Sequence, residues 1–183
     1  MYLRDAAVTD APRLAQLWSD VIRRGDEAEH VADMVRVVEM ARDDAEQRVV
    51  VAEYDGDLAG AVHLRLVTIT PLNLDLSVQV MSPTVFPDYR RHGVGRALMD
   101  AAVTFAEECG AGHVSAAAAS GSRDANRFMA RLALGPTATL RIAPTTAVRA
   151  KLAAQRLPVA RPTRQLTHVL AVRRSMRRQA AGS

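Results

Sequence analysis

Cysteine, lysine and aromatic side chains are scarce in this 183-residue chain. A single cysteine, Cys109, excludes a disulfide framework and any zinc site built from several thiolates, and it suits a reducing compartment, so a cytoplasmic protein is expected. Histidines and carboxylates show no metal-ligand spacing, so no metal is expected either. There is no uninterrupted apolar run of about 18 residues, the length needed to cross a membrane. Met1-Tyr2-Leu3-Arg4-Asp5 also lacks the apolar core of a secretion signal. Only one of the 24 basic residues is lysine, Lys151, and no Gly-x-x-x-x-Gly-Lys string surrounds it, which removes a Walker-type phosphate loop. Phe, Trp and Tyr make up 4% of the chain and none follows Phe128, so the C-terminal part lacks the aromatic interleaving suited to base stacking.

Charge of one sign is missing from the last part of the chain. From Pro136 to Ser183 there are ten basic residues and no acidic one, which leaves 14 basic against 20 acidic before it, a formal −6. The net +4 therefore hides an acidic body with a basic end. Such an end attracts nucleic acid, anionic lipid or an acidic partner, or is simply solvated. Leu166, Val169 and Leu170 precede Arg173, Arg174, Arg177 and Arg178 at helical spacing, which favours a short docked helix over nucleic-acid binding. The length suits one domain, expected over residues 1–152, with a basic extension over 153–183.

Along that domain, Tyr2 to Arg4 reads as a first strand. Thr9 or Asp10 with Pro12 starts a helix that carries Leu14, Leu17, Trp18, Val21 and Ile22 on one face as far as Gly25. Val31, Met34, Val35, Val38 and Ala41 mark a second helix. Gln47 to Tyr54 and Leu58 to Ile69 are strand-like, and Asp55-Gly56 joins them as a hairpin turn. Leu74 to Val85 is another strand, interrupted by Pro83, which in a central strand signals a bulge or a parting of neighbours. Val94, Leu98, Ala102, Phe105 and Cys109 form a helix stripe ending at Gly110, with Cys109 facing the core. His113 to Ala119 reads as a buried strand. Ala125, Phe128 and Leu132 read as a helix, and Thr137–Ile142 with Thr146–Leu152 as a closing hairpin. The class is α/β with a mixed sheet.

The most informative string joins the Pro83 strand to the following helix: Arg90-Arg91-His92-Gly93-Val94-Gly95-Arg96. Two glycines let successive backbone N–H groups curl around one anion, and the helix adds its positive N-terminal end. A dinucleotide fingerprint needs a third glycine or alanine where Leu98 stands, and a plain turn before an amphipathic helix is the blander alternative. The order Arg-x-x-Gly-x-Gly, with its lead-in at Val85, Pro87, Tyr89 and Arg90, resembles the coenzyme A pyrophosphate loop of the GNAT (GCN5-related) N-acetyltransferase superfamily.

That resemblance implies a GNAT-like fold with splayed central strands, acetyl-CoA as acyl donor and an amine acceptor, more readily a small molecule than a protein. It also implies that backbone groups of Arg91, Gly93, Val94, Gly95 and Arg96 hold the pyrophosphate within the 90–96 loop that includes His92. Thr84 and Val85 would pair with the pantetheine amides, and Arg90, Arg91 or Arg96 with the 3′-phosphate. One departure concerns the leaving group. Where the family carries a tyrosine acid this chain has Met129, and Ser122 stands where asparagine is usual; Ser120 or Ser122 is the substitute donor, unless both merely cap a helix. A thiol pKa of about 8.5 makes thiolate a tolerable leaving group without such an acid. For deprotonating the amine, Asp75 is the first candidate and His63 the second, each also readable as a structural residue. Homodimer formation stays open. The competing functions are a catalytically weak acetyl-CoA-binding sensor and a partner-binding protein acting through the basic tail.

Overall fold

A computed structural model describes residues 1–117, 122–138 and 141–155. The chain divides into two compact units, Met1–Gly135 and Pro136–Ser183.

The first unit is built on a five-stranded sheet in the order β1-β2-β3-β4-β5. The strands are β1 (Tyr2–Asp5), β2 (Gln47–Tyr54), β3 (Asp57–Thr70), β4 (Asn73–Val85) and β5 (His113–Ala116). The first four pair antiparallel, and β5 joins β4 in parallel. Asp55 and Gly56 both take positive φ, 52° and 90°, as the expected two-residue hairpin requires.

Strand alternation sends side chains to two cores. Val50, Ala52, Val62, Leu64, Val78 and Val80 face α3 (Val94–Glu108), whose Leu98, Ala102 and Phe105 close that layer. Cys109 packs at its edge, as expected. Val49, Val51 and Ala61 face the other way, against Leu14 and Trp18 of the α1 (Ala11–Leu17) end and Met34 and Val38 of α2 (Glu27–Asp43). Pro12 lies in the first turn of α1. Asp26 caps α2, its carboxylate accepting from Glu29 N–H at 2.8 Å, while Glu29 accepts from Asp26 N–H at 3.1 Å.

Three sequence expectations are corrected. The first helix does not reach Gly25: α1 stops at Leu17, and Val21, placed on its buried face, is 63% exposed. Beyond Leu17 the chain continues as turns, with Val21 and Ile22 N–H donating to the Trp18 carbonyl at 2.9 and 3.1 Å, while the Trp18 indole N–H donates to the carbonyl of Ser82 on β4 at 2.8 Å. The expected closing hairpin is replaced, over its second half, by the helix α5 (Thr145–Gln155) in the second unit. Ala, Arg, Lys, Leu and Gln dominate 147–155 and all favour helix, against one β-branched residue, Val148. Residues 137–138 and 141–142 carry no regular structure. The expected β5 shortens to His113–Ala116, with positions 118–121 and the Leu166–Arg178 segment outside the described residues.

Candidate functional site

Pro83 marks a bulge, as its position in the sequence suggests. Ala61 on β3 pairs with Thr84 and His63 pairs with Met81, so Ser82 and Pro83 together face the single residue Val62. Ser82 takes φ 47°, a conformation seldom adopted outside glycine. Its carbonyl is held by two donors, the Trp18 indole at 2.8 Å and the Thr84 hydroxyl at 2.9 Å. Pairing with β5 ends at Val80↔Ala116 while β4 continues to Val85, so the two parallel strands part company at the bulge.

Beyond Val85 the chain makes a single turn at Pro87–Tyr89 and enters the glycine loop. Phe86 N–H donates to the Ala59 carbonyl at 2.9 Å, and the Tyr89 hydroxyl donates to Asp57 at 2.8 Å. That bond with Asp57 pushes the phenol pKa up. Both contacts pin the loop to the β2–β3 hairpin. Arg91 and Gly93 have φ 67° and 82°, and Gly93 is the N-cap of α3. No side chain caps this helix, and its first internal acceptor bond is from Ala97 N–H to the Gly93 carbonyl at 3.0 Å. The amides of Val94, Gly95 and Arg96 therefore lack helical partners, an arrangement that suits an anion.

A Cβ on Gly93 would meet nothing within 4 Å, so space stands open over the loop; one on Gly95 would lie 3.7 Å from Phe128. Phe128 belongs to α4 (Arg123–Arg131), which places that helix beside the cradle. Arg90, Arg91 and Arg96 are exposed and make no ion pair among the described residues. His92 is exposed, its ring 5.1 Å from that of Tyr54. Thr84, Val85, Arg90, Arg91, His92, Gly93, Val94, Gly95 and Arg96 thus form one continuous stretch running from the bulge to the first turn of α3.

Other candidates fall elsewhere. Asp75 is exposed near the opposite end of β4, nine strand residues or about 30 Å from Thr84. Ser122 caps α4, its hydroxyl accepting from Ala125 N–H at 3.3 Å. Met129 is buried in the α3 core. His63 sits beside the bulge, its ring hydrogen-bonded to Gln47 at 3.3 Å. Two cavities, of about 560 and 490 Å³, flank the end of α2, and neither is lined by residues 84–96. Sequence reasoning missed Gly60, although a lone glycine inside a strand is a signal of close backbone approach. A Cβ there would lie 2.7 Å from the Thr84 carbonyl and 3.1 Å from Val94, so glycine is what lets the bulged strand and α3 meet.

A bulged mixed sheet whose inner strand β4 feeds an uncapped, glycine-led helix defines an acyltransferase-like α/β fold. The chain belongs to the acetyltransferase (GNAT) family, whose profile matches residues 12–134. That family uses acetyl-CoA as its acyl donor.

No curated protein sequence matches the chain. Solved structures share the fold at low identity. A transcriptional regulator from Bacillus halodurans C-125 is 18% identical with TM-score 0.68, over 78% of this chain and 99% of its own. Glucosamine-6-phosphate N-acetyltransferase from Arabidopsis thaliana is 13% identical with TM-score 0.64, over 79% and 97%. AAC(6')-Iy, in complex with the bisubstrate analogue CoA-S-monomethyl-acetylneamine, is 15% identical with TM-score 0.64, over 78% and 96%. Among the described residues no helix is long and apolar enough to cross a membrane, and no group of three or more His, Cys, Asp and Glu could hold a metal ion.

Proposed function

We propose that the protein is an acyl-CoA-dependent N-acetyltransferase acting on the amine of a small molecule in the cytoplasm. The observation that carries this reading is the uncapped N-terminus of α3, with left-handed Arg91 and Gly93 leaving open space over unpartnered amides. Arg91, Gly93, Val94, Gly95 and Arg96 hold the pyrophosphate through backbone N–H groups. One of the exposed Arg90, Arg91 or Arg96 meets the 3′-phosphate, while His92 braces the loop against Tyr54. Thr84 and Val85 lie past the point where β5 separates from β4, so their outward backbone groups serve the pantetheine amides. Bound there, acetyl-CoA supplies an activated acyl carbon with thiolate as leaving group.

Ser122 stands at the start of α4, on the helix whose Phe128 borders Gly95; a hydroxyl that accepts from Ala125 N–H still has its O–H to donate as a hydrogen bond to the departing sulfur, the proton itself coming from elsewhere. Asp75 lies too far along β4 to share that site, and its proposed role as base passes to a nearer group. The catalytic domain, expected from the sequence over residues 1–152, is assigned to the first unit, Met1–Gly135, because the expected boundary with the 153–183 extension falls inside α5 of the second unit. A non-catalytic acetyl-CoA sensor is the second reading, favoured by the buried Met129 where the family carries a tyrosine acid.

Calorimetry with acetyl-CoA on the wild type and on Gly93→Asp, followed by an amine library read by free thiol release, tests the reading. Tight binding lost in the variant, together with thiol release for at least one amine, supports it. Binding without release by any amine favours the sensor, and equal affinity in a folded Gly93→Asp variant refutes the cradle.

A further inference from the structure

His63 lies on the sheet face that carries α1 and α2. It alternates with Val62 and Leu64, which face α3, and it pairs across strands with Val49, which packs against α2. Its other cross-strand neighbour, Met81, is the last residue before the bulge, about 5 Å away by strand spacing. Thr84 and Val85, beyond the end of the β4–β5 pairing, would hold the pantetheine arm, and an arm running back along β4 from them would bring its thioester toward that bulge.

The hydrogen bonds around the ring have a direction. Asp44 at the end of α2 is an acceptor: Gln47 donates its amide N–H to it at 2.6 Å, and Glu46 N–H donates at 2.9 Å. With its NH2 so used, Gln47 presents its carbonyl oxygen to His63 Nε2 at 3.3 Å. A carbonyl accepts only, so Nε2 carries the proton and Nδ1 carries the lone pair. Nδ1 has no hydrogen-bond partner among the described residues.

We propose that His63 Nδ1 is the base of the transfer reaction, with Gln47 and Asp44 as positioning residues that set its tautomer. This rests on the acyltransferase reading above. His63 takes the proton that the amine nitrogen releases as its bond to the acyl carbon forms. The carbon–sulfur bond breaks with its electron pair leaving on sulfur, and the imidazolium then returns the proton to the thiolate or to water. Burial first, and Arg65 second, lowers the ring's pKa, so the free base prevails at neutral pH. Arg65 on β3 is the charge that acts on the ring; Asp44 lies behind Gln47, which shares a cavity with Arg36, Glu39 and Asp43 of the α2 end, and β4 pairs the uncharged Met81 with His63 and Gln79 with Arg65.

The test pairs ring NMR of the free protein with pH profiles of kcat/KM. Nitrogen shifts are expected to show an Nε2–H tautomer titrating below 6.5, and the acid limb of kcat/KM is expected to follow the same midpoint. Gln47→Glu places a carboxylate on the ring and is expected to move both midpoints upward together. His63→Gln is expected to lower kcat/KM by about 10²–10³-fold at pH 7 and abolish the acid limb, with acetyl-CoA affinity within about twofold as proof of folding. An Nδ1–H tautomer, or an unchanged profile in folded His63→Gln, overturns the assignment to His63 while leaving the acyltransferase reading intact. A wild type that binds acetyl-CoA but acetylates no amine overturns both.

Discussion

Replacing Gly60 by alanine separates two roles that glycine plays near the loop. The added methyl would come 2.7 Å from the Thr84 carbonyl, 3.1 Å from Val94 Cγ1 and 3.3 Å from Val85 Cα. Two of these are main-chain atoms of β4, which cannot swing aside as a side-chain tip can, and Val94 is fully buried at the head of α3. Gly60 does not have positive φ, so alanine meets no backbone strain of its own and the penalty is pure overpacking. Such insertions cost about 1–3 kcal/mol. Reduced unfolded-state entropy returns about 0.4–1 kcal/mol. A net loss of roughly 1–2 kcal/mol is expected, or a fall in Tm of about 2–4 °C per kcal/mol for a chain this long.

The displaced atoms are the ones assigned to the acyl donor, so acetyl-CoA affinity should fall as well, at temperatures where the variant is fully folded. Gly93→Ala is the control. It meets no neighbour within 4 Å but sits at φ 82°, so it costs about 1–2 kcal/mol through conformation alone. Calorimetric melting and titration of both variants read the two effects. A Gly60→Ala protein with unchanged Tm and unchanged acetyl-CoA affinity would refute the close-approach argument.

Further expectations concern the core and the charges. Trp18→Phe removes the indole donor from the Ser82 carbonyl and should destabilise by about 0.5–1.5 kcal/mol in chemical denaturation, with weaker acetyl-CoA binding if that bond holds the bulge. Met129→Ala should cost about 2–5 kcal/mol because the side chain is buried in the α3 core; a loss of turnover without that destabilisation would show a direct role at the sulfur. The Arg4 side chain donates to Asp10 at 2.6 Å and holds that carboxyl below its ordinary range. The folded chain therefore binds that proton less readily than the unfolded one, and the contribution is present above about pH 4 and lost below it. Melting of Asp10→Asn against the wild type should differ at pH 6 and converge as the pH falls under 4. Cutting the chain after Gln155 should leave acyltransferase activity unchanged if the basic extension is separate, and reduced activity would show that the tail supports the domain.

Much of this protein is written locally in its chain. Asp55-Gly56 dictates a hairpin because only a left-handed pair closes two twisted strands so tightly, and Pro83 dictates a bulge because it has no N–H for the ladder. Gly93 announces the left-handed turn into α3 for the same kind of reason, its φ of 82° being one that side chains disfavour. The α3 stripe is equally plain, since 3.6-residue spacing forces one face inward. What depends on residues far apart in the chain could not be read this way. Trp18, just past α1, is tied to a carbonyl 64 positions away, and helical periodicity places Ile22 correctly against the α1–α2 core but fails for Val21, which is exposed. The 145–155 segment became a helix through its own propensity, where the expectation of a closing hairpin had assigned it a strand. Likewise nothing in the neighbourhood of His63 reveals Gln47 and Asp44: strand register brings β2 beside β3, and only then does a chain of donors and acceptors choose which ring nitrogen keeps its lone pair.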